Sequence, residues 1–134
     1  MIQLLPTPTR LQFHPGTFTL SDPSTVGTPE HLDPRVGKML HTLFPGLHHI
    51  AHHQPHPILR LVNAPGAPES YVLRITPKGI HIAAPDAAGQ FYALQTLRQI
   101  RQQSGDTLPC LEIEDEPLFP LRGYYLDISR GRVP

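Results

Sequence analysis

The chain has 134 residues, a length that allows one folded domain with its own core. Eleven basic and eleven acidic side chains cancel, which excludes the strongly basic surface of a general nucleic-acid binder. Apolar residues make up 39% of the chain and charged residues 16%, proportions that are typical of a globular rather than a disordered protein. The 17 prolines are the unusual feature, and they predict many loops and turns.

The sequence predicts no disulfide within the chain, no membrane-spanning helix and no signal peptide. A single cysteine, Cys110, excludes a disulfide within the chain. No apolar run approaches the ~18 residues of a membrane-spanning helix, so we expect no contact with a membrane. Pro6 interrupts the apolar run at residues 2–5, which is too short for a signal-peptide core. The location is therefore cytoplasmic by default, and export of a longer parent protein stays open.

The N-terminal third predicts a β-hairpin followed by a helix. Residues 10–14 and 16–20 alternate polar and apolar side chains, as half-buried strands do, and Pro15-Gly16 predicts the turn between them. Asp33 is a suitable N-cap for the helix, because proline follows it and apolar side chains recur at helical spacing as far as Pro45.

The remainder predicts further strands and a longer helix. Strand-like runs lie at residues 58–62, 71–76, 80–82 and 108–113, and the second and third pair as a hairpin. Asp86 caps an amphipathic helix that ends near Gly105. Five to six strands, mostly in hairpins, and two helices predict an α+β two-layer sandwich. Its mostly antiparallel sheet carries both helices on one face.

A histidine-rich stretch, residues 48–56, contains five imidazoles, which can bind zinc, copper or nickel. Prolines and glycines bracket the stretch, and it contains no carboxylate or cysteine to complete a ligand set. We therefore interpret it as a solvated loop of open role, and we expect neither a metal site nor a cofactor.

An acidic group at residues 112–116 is the one source of a glycosidase acid/base pair. Alternation places Glu112 and Glu114 on the same side of a strand, and Asp115 and Glu116 precede a proline, which indicates an exposed strand face and a connection. Cys110 has no activating neighbours and is expected to be a buried thiol. Neither a nucleophile elbow nor a glycine-rich phosphate loop is present, so the residues alone assemble no catalytic set.

Two stretches in the second half of the chain carry recognisable motifs. Residues 86–100 fit the pattern G-x-F/Y-Y-G/A-L-Q-T-L-x-Q, and residues 119–130 fit the pattern F-P-x-R-G-x-x-L-D-x-S/A-R. These patterns resemble glycoside hydrolase family 20, the β-N-acetylhexosaminidases, in which the first is a helix of the small domain before the catalytic barrel and the second forms the first strand of the (β/α)8 barrel. Asp115-Glu116-Pro117 approximates the D-x-P-x-F junction between them. These matches lie within residues 69–134 and in the family's order.

The resemblance implies an accessory domain at residues 1–116, and a linker with the first barrel strand at residues 117–134. It also implies that Arg130 hydrogen-bonds hydroxyls of the terminal N-acetylhexosamine, a task that suits the five fixed donors of a guanidinium. Asp127 is the weaker candidate, as a residue that holds this arginine. Residues 131–134 lack the histidine and aromatic side chains that many members have there, so the rim of the pocket is expected to differ.

The implied activity is hydrolysis of terminal non-reducing N-acetylhexosamines by a substrate-assisted retaining mechanism, in which the 2-acetamido oxygen attacks the anomeric carbon. Its Asp-Glu pair lies further along a barrel of about 200 residues or more. We therefore expect no catalytic residue in this chain and no hydrolytic activity of the chain on its own. Its partner is the barrel of the same polypeptide, and through that barrel N-acetylhexosamine-containing glycans. The alternative is a free-standing binding or interaction module on the same fold.

Overall fold

The protein forms one sheet with two helices in the part of the chain that the computed structural model describes. The described residues are 4, 8–20, 24–29, 31–44, 47–51 and 57–116, with backbone only for 24, 25 and 47–51. In chain order the elements are β1 (Arg10–Thr19), β2 (Ser24–Gly27), α1 (Pro34–Leu43), β3 (Leu47–Ala51), β4 (Leu59–Asn63), β5 (Tyr71–Thr76), β6 (Gly79–Ala84), α2 (Ala87–Ser104) and β7 (Thr107–Asp115).

The sheet has the strand order β1-β7-β5-β6-β4-β2-β3. The first four strands of this order pair antiparallel, and β6, β4, β2 and β3 pair parallel. The antiparallel pairings contain most of the registered residues, so the predicted α+β fold with a mostly antiparallel sheet is confirmed. The described sheet has seven strands, because β2 and β3 add short strands where the sequence shows no alternation.

The predicted N-terminal hairpin is wrong, because β1 is one continuous strand. Both halves of β1 pair with β7, through Phe13 opposite Leu111 and Thr17 opposite Pro109, and the register shifts between them. The Pro15-Gly16 pair therefore lies in a bulge rather than a turn. Gly16 has φ +103°, a backbone conformation that glycine adopts without a steric penalty.

The predicted helix caps are confirmed. The Asp33 carboxylate accepts from the backbone N–H of Arg35 at 2.8 Å, and the Asp86 carboxylate accepts from that of Gly89 at 2.8 Å. Each bond satisfies an N–H group that has no partner within the first helical turn. Helix α2 ends at Gly105, whose φ of 73° turns the chain toward β7.

The core lies between α2 and the centre of the sheet. Its largest fully buried side chains come from α1, α2 and the strands β4 to β7: Leu40, Leu59, Leu61, Leu73, Ile75, Ile82, Leu94, Leu97, Ile100, Leu108, Leu111 and Ile113. The apolar face of the predicted amphipathic helix α2 supplies Leu94, Leu97 and Ile100. Burial of such side chains contributes about 1.5–3 kcal/mol each, which makes this layer the main source of stability.

The two helices run side by side in the same direction. At their C-terminal ends, the Arg101 guanidinium of α2 donates to the Leu43 carbonyl of α1 and lies 5.6 Å from the centroid of the Phe44 ring. It also forms an ion pair with Asp106 at 2.9 Å. At the other end, the first turns of both helices line one groove. This parallel arrangement places both helix N-termini at one end of the domain.

Candidate functional site

Helix α2 packs closely against the chain before β5 at Gly89. A Cβ atom on this glycine would lie 2.1 Å from the carbonyl oxygen of Ser70, well inside any real contact distance. The Asp86 carboxylate strengthens the same junction, because it also accepts from the backbone N–H of Glu69 at 3.0 Å. Position 89 therefore tolerates no side chain, which gives a packing reason for the glycine in the motif at residues 86–100.

Two buried polar contacts fix the rest of this motif. Gln90 is 4% exposed, and its Nε2 donates to Oδ1 of Asn63 at 3.0 Å. The Thr96 and Tyr71 hydroxyls lie 2.6 Å apart in the core. Burial raises the pKa of Tyr71 to about 12, so its phenol stays neutral and has no role as a base. Sequence reasoning missed both contacts, because their partners come from distant strands.

A groove opens between the first turns of the two helices, on the side of α2 that faces away from the sheet. Its volume is about 220 Å³, and it is lined by Asp33, Arg35, Val36, Ala87, Ala88, Phe91 and Tyr92. The Phe91 and Tyr92 rings meet edge to face, with centroids 6.5 Å apart, and both are only partly buried. This helix groove is thus an apolar surface with a charged rim.

The opposite face of the sheet carries charged side chains. The Glu112 carboxylate lies 3.3 Å from the Arg74 guanidinium and 3.9 Å from the His14 imidazole. The Glu114 carboxylate lies 3.6 Å from the Arg10 guanidinium. The acidic group therefore forms cross-strand ion pairs at the surface, as expected for an exposed strand face. Such exposed pairs contribute about 0–1 kcal/mol each to stability.

His81 lies in the same charged row, between Arg74 on β5 and Arg60 on β4. Burial lowers the pKa of His81, and the two neighbouring guanidinium groups lower it further. Its imidazole is therefore neutral at neutral pH. Among the described residues, no three His, Cys, Asp or Glu side chains lie close enough to hold a metal ion.

The remaining sequence-predicted residues divide into two sets. Cys110 is buried, as expected. Arg130 and Asp127, the predicted substrate-binding residues, lie outside the described residues, and so do the histidines at 52–56. The predicted loop at 48–56 is wrong for His48 and His49, because both lie on β3. Within the described chain, no helix is long and apolar enough to cross a membrane.

Comparison with known families decides the affiliation of this fold. Residues 1–116 match the family described as glycosyl hydrolase family 20, domain 2. This chain belongs to glycosyl hydrolase family 20. The predicted resemblance is confirmed, and the matched part is a non-catalytic domain of the family.

Individual relatives agree with this family assignment. A β-hexosaminidase of Vibrio furnissii is 32% identical over 141 residues, covering 99% of this chain and 22% of that protein. A β-hexosaminidase of Akkermansia muciniphila is 39% identical over 69 residues, covering 49% of this chain and 14% of that protein. Among solved structures, a mutant Streptomyces plicatus β-hexosaminidase in complex with product (GlcNAc) superposes with a TM-score of 0.74 at 27% identity, covering 89% of this chain and 26% of that one. This family 20 chain thus spans about a quarter or less of these relatives.

Proposed function

We propose that this chain is the non-catalytic accessory domain of a β-N-acetylhexosaminidase. Hydrolysis of terminal non-reducing N-acetylhexosamines then belongs to the longer polypeptide, by the substrate-assisted retaining mechanism. The observation that carries the proposal is the packing of residues 86–100. Gly89 and Thr96, which match fixed positions of that motif, serve close packing and a buried hydrogen bond, and Gln90 at a variable position is also engaged in a buried contact.

The charge pattern supports the inactivity of this chain by itself. Glu112 and Glu114 are engaged with arginines, and Asp33 and Asp86 are engaged as helix caps. Glu114, Asp115 and Glu116 line one groove, but Glu114 is paired with Arg10 and Asp115 accepts two hydrogen bonds from Thr9. These structural contacts support the assignment of the reactive carboxylates to the longer polypeptide.

The chemistry in this polypeptide begins beyond the accessory domain. Residues 1–116 form the accessory domain in this proposal, and residues 117–134 form the linker and the first strand of the catalytic barrel. Arg130 would bind hydroxyls of the terminal sugar, and Asp127 would hold the arginine in place. The match of residues 119–130 to the family's signature supports the role of Arg130, and the role of Asp127 rests on its place three residues before that arginine.

The barrel packs on the helix groove in this proposal. Asp115 is paired with Tyr71, directly after Ser70, which contacts the first turn of α2. The chain therefore leaves β7 at the same end of the domain as the groove. The partly buried Phe91 ring provides apolar contact area at this end, whereas the opposite sheet face is covered with ion pairs.

Phe91→Ala tests this contact when it is introduced both into this chain and into the longer protein. In this chain, we expect a modest loss of stability, since the ring is only partly buried. In the longer protein, we expect an additional loss of about 1–2 kcal/mol, because the barrel contact disappears as well. Calorimetric melting of both proteins measures the difference.

Arg98→Ala is the matched control, because Arg98 is exposed on the same helix and does not line the groove. It should lower the melting temperature equally and slightly in both proteins. An equal effect of Phe91→Ala in the two proteins would contradict docking of the barrel on the helix groove.

A further inference from the structure

Three nitrogen-rich side chains lie next to one another on the face of the sheet opposite the helices. Arg60 on β4 is in register with His81 on β6, and His81 is in register with Arg74 on β5. Adjacent strands are about 4.8 Å apart, so the imidazole lies between two guanidinium groups whose Cα atoms are about 10 Å apart. These three residues form the basic row. Docking of the barrel on the helix groove leaves this face of the sheet open.

The His81 imidazole contains a buried nitrogen without a hydrogen bond. Its Nδ1 atom is shielded from solvent, and no described residue donates to it or accepts from it. Buried polar atoms in native proteins are nearly always paired, with a bound ion or water where no side chain serves. Burial lowers the pKa of His81, and the positive charges of Arg74 and Arg60 lower it further, so both guanidinium groups act on the ring. The surroundings of the imidazole therefore favour a negatively charged partner.

Glu112 approaches the basic row from the side of Arg74 and lies one strand further from His81. Its Oε2 atom lies 3.3 Å from Nε of Arg74, and its Oε1 atom lies 3.9 Å from the His14 imidazole on β1. A guanidinium has five N–H donors, and this ion pair uses the one on Nε. The terminal amino groups of Arg74 can therefore donate to a further partner, and the Arg74 side chain is 51% exposed.

We propose that the basic row binds a tetrahedral oxyanion, sulfate or phosphate, whose oxygens accept from Arg74, Arg60 and the His81 imidazole. Guanidinium groups present planar pairs of N–H donors that match such oxygens. The exposed Arg74 side chain moves aside to admit the ion beside the ring. This site is independent of the proposed function, because it lies on the other face of the sheet and needs no barrel residue.

Imidazole NMR of the 134-residue protein, titrated with sodium sulfate, tests the site. We expect saturable shifts of the His81 ring signals. We also expect the pKa of His81 to rise by about one, because a bound anion favours the protonated ring. By linkage, sulfate then binds up to about tenfold more tightly at about pH 5 than at about pH 8. Sodium chloride at equal ionic strength is the control for screening of the neighbouring charges.

Two sugars identify the source of the oxyanion, since sulfate occurs both as a free ion and as an ester. Tighter binding of N-acetylglucosamine 6-sulfate than of sulfate, with no response to N-acetylglucosamine, would support the site and assign it to a sulfated glycan. Equal or weaker binding of the sulfated sugar would support the site and assign it to the free ion.

Arg74→Gln should weaken sulfate binding by about tenfold, because it removes charged hydrogen bonds to the ion. Arg10→Gln is the matched control, since Arg10 lies on the same face in an exposed ion pair with Glu114 and is not adjacent to His81. It should leave sulfate binding unchanged.

The inference fails if sulfate moves the His81 signals no further than chloride does, or if both variants weaken sulfate binding equally. Neither result depends on hydrolytic activity. Failure of the oxyanion site is therefore distinguishable from failure of the proposed function, which an assay of the longer protein tests.

Discussion

Replacing Gly89 with alanine is expected to destabilise the protein by about 3 kcal/mol or to prevent folding. The added Cβ would lie 2.1 Å from the Ser70 carbonyl oxygen and 3.2 Å from the Asp86 carboxylate, which caps α2. The first of these neighbours is backbone, so the helix has to move away from the sheet and break its cap. Overpacking of this kind costs about 1–3 kcal/mol or more, which outweighs the gain of about 1 kcal/mol from alanine's helix propensity.

Gly37→Ala provides the matched control, because Gly37 lies within α1 and its added Cβ would be 3.5 Å from a Leu32 methyl group, an ordinary contact. Here the helix propensity acts alone, and we expect a gain of about 0.5–1 kcal/mol. Urea denaturation of the two variants measures both changes in the free energy of unfolding, a loss for Gly89→Ala and a gain for Gly37→Ala. A neutral or stabilising Gly89→Ala would contradict the close approach of α2 to the sheet.

The second large effect is expected at Arg130 in the longer protein. Loss of the guanidinium removes charged hydrogen bonds to sugar hydroxyls, each worth about 1.5–3 kcal/mol. Arg130→Ala should therefore reduce kcat/KM for an aryl N-acetyl-β-glucosaminide by about one hundredfold, the equivalent of about 2.7 kcal/mol, with an unchanged melting temperature. Steady-state kinetics and calorimetry on the same preparation measure the two quantities.

Arg130→Lys separates the charge from the geometry of this contact. Lysine keeps the positive charge but lacks the planar fork of donors, so we expect an intermediate kcat/KM. A large fall in melting temperature for Arg130→Ala, with little change in kcat/KM of the folded protein, would instead make Arg130 a structural residue.

Elements with a strong local pattern were predictable from the sequence. The hairpin of β5 and β6 is present as predicted, with Thr76 opposite Gly79 across the turn. Helix α2 was equally predictable, because its cap at Asp86 and its apolar spacing lie within one continuous stretch. Periodicity and capping act over a few residues, and so the sequence reports them directly.

Features that depend on distant partners were not predictable. A Pro-Gly pair is typical of a turn, but Gly16 lies in a bulge because β7 offers one long partner to both halves of β1. The sequence predicted β4 and β6 as strands but gave no signal for their parallel pairing, since the two strands are joined through another element, β5. The Gln90–Asn63 bond crosses 27 positions and the Thr9–Asp115 bond crosses 106. Only the fold brings these side chains together.

One enzymatic assay tests the central claim, that this domain contains no chemistry of its own. Purified 134-residue protein and the longer protein are incubated in parallel with an aryl N-acetyl-β-glucosaminide. We predict product release by the longer protein and none above the blank by the 134-residue chain, even at high protein concentration. Turnover by the short chain that stays proportional to its concentration through repeated purification would contradict the account.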